Sequence, residues 1–216
     1  AGAVARMLLR RIGAEVRAHT VRIGSVSLDR EASAEDLRLA YDSIVRCVDP
    51  ESSKKMAEEV RRAEGEGDSV GGVVEAIATG IPAGVGDPIF ESLDSELAKA
   101  LMSIPAVKGV EFGEGFGAAR LRGSENNDPY GPLGDRVVPL TNRAGGIRGG
   151  LSTGMPIVVR VAFKPTPSIK RAQRSVDLRS KREVVMELKG RFDPCVVPRA
   201  VPVVEATCSI VLVDQC

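Results

Sequence analysis

Ten residues, Met155–Lys164, constrain the fold more than any other stretch of the chain. They read MPIVVRVAFK. Ile157, Val159, Val161 and Phe163 fall on one face at period two, and Val158, Arg160, Ala162 and Lys164 fall on the other. A face that apolar has to be covered by another layer of structure. The run Gly145-Gly146-Ile147-Arg148-Gly149-Gly150 precedes the strand, and Lys164-Pro165-Thr166-Pro167-Ser168 ends it. The prolines hold that exit extended and stop a ladder of strand hydrogen bonds. After a charged, hairpin-like excursion comes a second cluster, Arg191-Phe192-Asp193-Pro194.

The rest of the chain alternates helical and strand signals. Val4, Met7, Leu8 and Ile12 recur at helical spacing from the first residues, with no capping residue before them. Residues 14–27 suggest a strand, with Val16, Val21, Ile23 and Val26 toward the buried side. Ser33–Asp36 resembles a capping box opening a helix through about Val48, with Leu37, Tyr41, Ile44 and Val45 as its apolar stripe. Asp49-Pro50 breaks it, and a charged helix follows over about 53–63. Val70–Thr79 reads as a strand whose paired glycines signal a bulge or a close backbone approach. Pro88–Met102 reads as a helix with Ile89, Phe90, Leu93, Leu97 and Leu101 facing inward. Residues 107–116 read as a strand broken by glycines, and 122–140 as a long polar loop. No fixed repeat, Walker motif or strand–GxGxxG–helix unit occurs. The expected class is α+β, in one domain spanning 1–216.

Composition removes several classes of function. With 30 Lys+Arg against 29 Asp+Glu, nothing pulls the chain as a whole toward nucleic acid or a membrane surface. Aromatics are 3% with no Trp, too few for base-stacking platforms. No run approaches the roughly 18 apolar residues of a membrane span. Cys47, Cys195, Cys208 and Cys216 form no CxxC pair, and one histidine cannot complete a Cys/His zinc site, so no metal is expected. Reduced, partly buried thiols fit a cytoplasmic protein.

Three segments could carry chemistry. The paired glycines either make two tight turns or let an anion reach main-chain amides. Lys164–Ser168 offers a cation and two hydroxyls on a stiffened backbone, or is simply an edge strand ended by its prolines. Arg191 and Asp193 lie on one side of an extended segment, as a surface ion pair or as an oriented general base. His19, far in sequence from all three, reads as structural or surface.

Five collinear stretches are similar to chorismate synthases: GDSVGGVVE (67–75), residues 81–116 from IPAGVGD to FGEGF, GSENND (123–128), residues 142–169 from NRAGGIRGG to KPTPSI, and GRFDPCVVPRAVPVVEA (190–206). The resemblance implies helices sandwiched between antiparallel β-sheets and a homotetramer. It implies an enzyme converting 5-enolpyruvylshikimate 3-phosphate to chorismate and phosphate by anti-1,4-elimination, with reduced FMN as cofactor and NADP associated with the family. Carried over by position, Pro105 and Ala106 touch the flavin, although many relatives have Asn at the first. Gly149 gives it a backbone contact. Lys164, Pro165, Thr166, Pro167 and Ser168 cradle its phosphate and ribityl chain, and Arg191 adds a contact. Asp193 is the carboxylate of the proton relay, and Asn142 lies near the bound ligands. Phe192 is often His in relatives.

The family's N-terminal third carries two catalytic histidines and substrate-binding arginines, and those motifs are not among these residues. The chain is therefore expected to be cut short at its N-terminus and in its C-terminal tail, and to have little or no activity alone. The alternative is a non-catalytic FMN-binding or oligomerisation fragment of the same fold.

Overall fold

The computed structural model describes residues 1–33, 35–134 and 136–216. In chain order its elements are α1 (Gly2–Arg11), β1 (Glu15–Ile23), β2 (Val26–Ser27), α2 (Asp36–Leu39), α3 (Pro50–Gly65), β3 (Gly72–Thr79), α4 (Leu93–Met102), β4 (Val107–Phe112), α5 (Gly123–Asn126), β5 (Tyr130–Leu133), β6 (Arg136–Pro139), β7 (Ile147–Arg148), β8 (Leu151–Ser152), β9 (Ile157–Phe163), β10 (Gln173–Val176), β11 (Glu183–Met186) and α6 (Val197–Gln215). Five strands form one antiparallel sheet in the order β2-β1-β3-β9-β4. Three separate two-stranded pairs accompany it. The class is α+β, as the sequence implied.

Period-two alternation splits this sheet into two chemically different faces. Val16 and Ala18 of β1, Val74, Ala76 and Ala78 of β3, and Ile157, Val159, Val161 and Phe163 of β9 are buried on one side. The alanines leave room for helices to approach closely. Leu97 of α4 and Cys208 and Leu212 of α6 meet Val16, Ala76, Ala78, Ile157 and Val159 there. Each of the valine, leucine, isoleucine and phenylalanine side chains contributes about 1.5–3 kcal/mol by burial, and the alanines less. Gly72 belongs to a close backbone approach, as its pairing with Gly71 suggested. A Cβ at Gly72 would collide with the Arg22 carbonyl across the β1–β3 ladder.

Four expectations fail, each for a local reason. The helix expected through Val48 stops after one short turn and a 3₁₀ segment, Ala40–Asp42. Of its capping box, Ala34 lies outside the described residues, while the Asp36 and Ser33 amides do reach the Ser33 hydroxyl and the Asp36 carboxylate. Beyond it, Ser43 Oγ accepts from the amides of Val45 and Cys47, and Arg46 takes a φ of +60°. Tyr41 and Ile44 are consequently exposed. Residues 88–92 form a turn before α4, leaving Ile89 and Phe90 in solvent. The stripe expected on α1 is exposed as well, and Ala5 and Leu9 are what it buries. Last, the polar stretch 122–140 is not one loop, since it holds α5 and the β5–β6 hairpin. Asp49-Pro50 acts as expected. The Asp49 side chain caps α3 through the Ser52 amide at 2.7 Å, with Pro50 at the first helical position.

One charge is buried on the helical side. Glu205 of α6 is 1% exposed. Arg6 Nη1 lies 2.6 Å from one oxygen, and the Tyr41 hydroxyl and Ala18 amide donate to the other. Burial nevertheless raises the Glu205 pKa, outweighing Arg6. A raised carboxyl pKa stabilises the fold below its ordinary value near 4.5 and loses that contribution as pH climbs through the folded-state value. Glu205→Gln lacks this dependence. Its melting temperature relative to the parent is therefore expected to rise between pH 4.5 and 8, and a pH-independent difference would count against the assignment.

Candidate functional site

The second face of the sheet carries a row of four polar side chains across four strands. His19 of β1 stands opposite Glu75 of β3, Glu75 opposite Arg160 of β9, and Arg160 opposite Glu111 of β4. His19 Nε2 and Glu75 Oε1 are 3.1 Å apart. Arg160 Nε donates to Glu75 Oε2 at 2.8 Å, and Nη1 donates to Glu111 Oε1 at 3.1 Å and to the Gly113 carbonyl at 2.9 Å. Burial opposes the charge of Glu75, yet His19 and Arg160 hold its pKa below the ordinary glutamate value. His19 is fully buried.

This row separates two adjoining clefts. One, of about 610 Å³, is lined by Glu75, Ile77, Gly113, Thr141, Asn142, Arg143, Pro156 and Arg160 among others. The other, of about 540 Å³, shares Glu31, Glu75 and Arg160 with it. Asn142 belongs to the first cleft, where its Nδ2 donates to the Pro156 carbonyl at 2.8 Å.

Asp128 builds the wall of that cleft. The Thr141 hydroxyl donates to it at 2.6 Å, the Arg143 amide at 2.7 Å and the Ala144 amide at 3.0 Å, with Arg148 at 3.4 Å. Burial works against its charge, but these donors together keep its pKa below the ordinary aspartate value. They start the glycine-rich loop. Within that loop the Gly145 amide donates to the Asn142 carbonyl, and a Cβ at Gly145 would strike the Gly113 backbone. The Gly145 amide is thus spent on the chain itself.

A different cluster forms at the far end of β9. The Lys164 amide donates to the Ala106 carbonyl at 2.9 Å, and Ala106 adopts a φ of +72°. Thr166 Oγ1 donates to the Asp193 carbonyl at 2.5 Å, and Ser69 Oγ to the Thr166 carbonyl at 2.7 Å. Segments 105–106, 164–168 and 193 therefore meet in one corner. Lys164 is half-buried and Arg191 exposed, and among the described residues neither has a carboxylate within salt-bridge distance.

Two sequence-level readings change here. Asp193 pairs with Arg199 in the first turn of α6, not with Arg191. The turn helix supplies the closer cation. The glycine turns also do not adjoin the lysine. Gly146 sits against Pro156 and Ile157 at the start of β9, and the Gly150 carbonyl accepts from Leu93 at the start of α4. Lys164 is at the other end of both elements, about 20 Å away at ~3.3 Å per strand residue. Gly149 and Asn142 thus lie at one end of the sheet, and Pro105, Ala106, Lys164–Ser168, Arg191 and Asp193 at the other. The residues that sequence reasoning missed are Glu75 and Glu111, whereas Asp128 closes the GSENND stretch already singled out. A lone charge inside an apolar strand, as in GVVEAIAT, was the available signal for Glu75.

The described residues hold no helix long and apolar enough to cross a membrane and no cluster of His, Cys, Asp and Glu suited to a metal ion. Cys47, Cys195 and Cys208 are buried and unpaired, and burial pushes the Cys195 thiol up to about 11.

Sheet, helices and basic corner together define an α+β protein with a polar row across the middle of its sheet and a basic corner at the end of one inner strand. The family model for chorismate synthase matches residues 1–216. A chorismate synthase of Methanocella arvoryzae is 52% identical over 215 residues, covering 99% of this chain and 58% of the relative. That of Pyrococcus abyssi is 50% identical over 215 residues, covering 100% and 60%. A solved structure described as "Crystal Structure of Chorismate Synthase" superposes with a TM-score of 0.82 at 34% identity, covering 99% of this chain and 60% of that one. The chain belongs to the chorismate synthase family. It spans about three-fifths of the length of the curated relatives it matches.

Asp128→Asn leaves one oxygen to serve donors that now share two. It is expected to cost about 1–3 kcal/mol in chemical denaturation. It should also speed hydrogen exchange in 141–150 ahead of the sheet, and uniform exchange across both would contradict an anchoring role.

Proposed function

We propose that this chain is the flavin-contacting part of a chorismate synthase. The activity is anti-1,4-elimination of phosphate from 5-enolpyruvylshikimate 3-phosphate, giving chorismate, with reduced FMN as cofactor. The observation that carries this reading is the corner at the end of β9. Three segments far apart in sequence, each resembling the family, are tied there by main-chain and hydroxyl hydrogen bonds.

The corner's chemistry fits a phosphorylated cofactor. Among the described residues Lys164 and Arg191 have no carboxylate within salt-bridge distance, and Thr166 and Ser168 add hydroxyls. Such a set would hold the FMN phosphate by charge-assisted bonds. Reduced flavin, when bound, lends electron density that helps phosphate depart from the substrate. Asp193 would manage the proton of the same step, with Arg199 orienting its carboxylate. Asn142, in the cleft at the other end of β9, would lie near the bound ligands, and Gly149 would give the flavin a backbone contact. We place the parent in the cytoplasm as a homotetramer.

A fragment that binds flavin without turnover is the second reading, and His19 favours it. The only imidazole of the chain is fully buried and tied to Glu75, so it is not exposed to act on a ligand directly. Acid–base groups typically contribute 10²–10⁴-fold each.

Titration with reduced FMN under anaerobic conditions tests the site. Lys164→Ala and Arg191→Ala are each expected to weaken binding about 10- to 100-fold, as loss of a charge-assisted bond implies. Undisturbed binding in both variants would remove the assignment. Release of phosphate from 5-enolpyruvylshikimate 3-phosphate by the chain alone should be slight, and turnover matching a full-length relative would overturn that expectation.

A further inference from the structure

The β10–β11 hairpin stands apart from the sheet and pairs only with itself, Gln173 opposite Met186 through Val176 opposite Glu183. Its root is held on one side, where the Lys170 amide donates to the Gly67 carbonyl and Arg171 pairs with Asp68 at 2.9 Å. The β11 side is open. Val184, Val185 and Met186 are exposed, and Val185 is 71% exposed. Among the described residues, nothing outside the hairpin hydrogen-bonds to Glu183–Lys189. Two strands alone are marginally stable in water, and an apolar edge of this kind invites another strand.

Antiparallel alternation fixes which main-chain groups face outward. The Asp177 amide donates to the Arg182 carbonyl at the turn. That makes 175 with 184 and 173 with 186 the hydrogen-bonded pairs, and turns the amides of Glu183, Val185 and Glu187 away from β10.

The sequence of β11 and of the three residues that follow it, Glu183-Val184-Val185-Met186-Glu187-Leu188-Lys189, sets Glu against Lys and apolar against apolar in its own reverse at every position but Val185–Glu187. We infer that the outer edge of β11 pairs antiparallel with the same edge of a second copy of this chain, about a two-fold axis at Met186. In that register Glu183 stands opposite Lys189 of the second copy, Val184 opposite Leu188, and Val185 opposite Glu187, each twice by symmetry. Val184, Met186 and Leu188 of both copies then share one face as a continuous apolar strip, and the two Glu183–Lys189 pairs lie at the ends of the opposite face. The outward amides of Val185 and Glu187 fall in hydrogen-bonding positions. The alternative registers are poorer. Moving the axis to Val185 sets Glu183 against Glu187, a like-charge pair. Pairing through β10 about Ser175 sets Arg171 against Arg179, and that root already lies against the 67–68 loop. This edge lies outside the proposed flavin corner and does not depend on it.

Sedimentation equilibrium and oxidative cross-linking test the register on the full chain. In a Cys216→Ser background, Met186→Cys is expected to form a covalent dimer, because directly opposite non-hydrogen-bonded residues have Cα atoms about 4.5 Å apart, within disulfide range. Val184→Cys, facing Leu188, should not. Val185→Pro removes an amide that the hairpin itself does not use and should abolish association while circular dichroism stays unchanged. Glu183→Lys should weaken dimerisation about tenfold, and Glu183→Lys with Lys189→Glu should restore it. A parent chain that remains monomeric at 100 µM (roughly the upper working range) overturns the inference. So do Val185→Pro dimers of parent affinity, or efficient cross-linking at 184 in place of 186.

Discussion

One row of side chains sets the register on which the rest depends. His19, Glu75, Arg160 and Glu111 lie directly opposite one another across β1, β3, β9 and β4. A slip of one residue in any strand would carry its charge to the helical face and its valines or alanines to the cleft. The apolar face and the polar row therefore demand the same pairing. They differ in weight. Burial of Ile157, Val159, Val161 and Phe163 is worth about 1.5–3 kcal/mol per side chain, whereas partly exposed ion pairs such as Arg160–Glu111 are worth ~0–1 kcal/mol. The core supplies stability, and the row supplies the choice among registers.

The two ends of β9 acquire different characters because different elements close them. At its start, the loop held by Asp128 folds back over the strand and frames a cleft. At its end, the prolines of 165 and 167 prevent further ladder bonds, so Lys164 and Thr166 are free to meet Ala106 and Asp193. A single strand thus separates a mixed-charge cleft from a basic corner by its own length. The hairpin that follows is connected at both ends to that corner, through Ser168 and Arg191, yet among the described residues its strands pair only with each other.

Charge is managed differently on the two faces. On the open face every carboxylate of the row has a cation or imidazole directly across from it. On the helical face Glu205 has Arg6 and a phenol, and burial still outweighs them. The contrast follows from solvent. Arg160 lines two open clefts, whereas Glu205 is buried between helices and sheet, where desolvation dominates.

Much of this was legible in the chain itself. The period-two face of β9, the cap at Asp49 with Pro50, the close approach at Gly72 and the α+β class follow from local stereochemistry and alternation, which a sequence records directly. The five collinear family motifs belong to the same category. What tertiary structure alone decided is which separated segments meet. Arg199 rather than Arg191 reaches Asp193, because α6 turns back over the segment before it. The paired glycines lie a strand's length from Lys164, because a loop and a strand exit adjacent in sequence to opposite ends of β9 are held apart by that strand. Ile89, Phe90 and Ile44 carry helical spacing but stay in solvent, because Ser43 and the turn before α4 spend the backbone's hydrogen bonds elsewhere. Spacing encodes the face a residue could share, and only the packed chain determines whether anything lies against it.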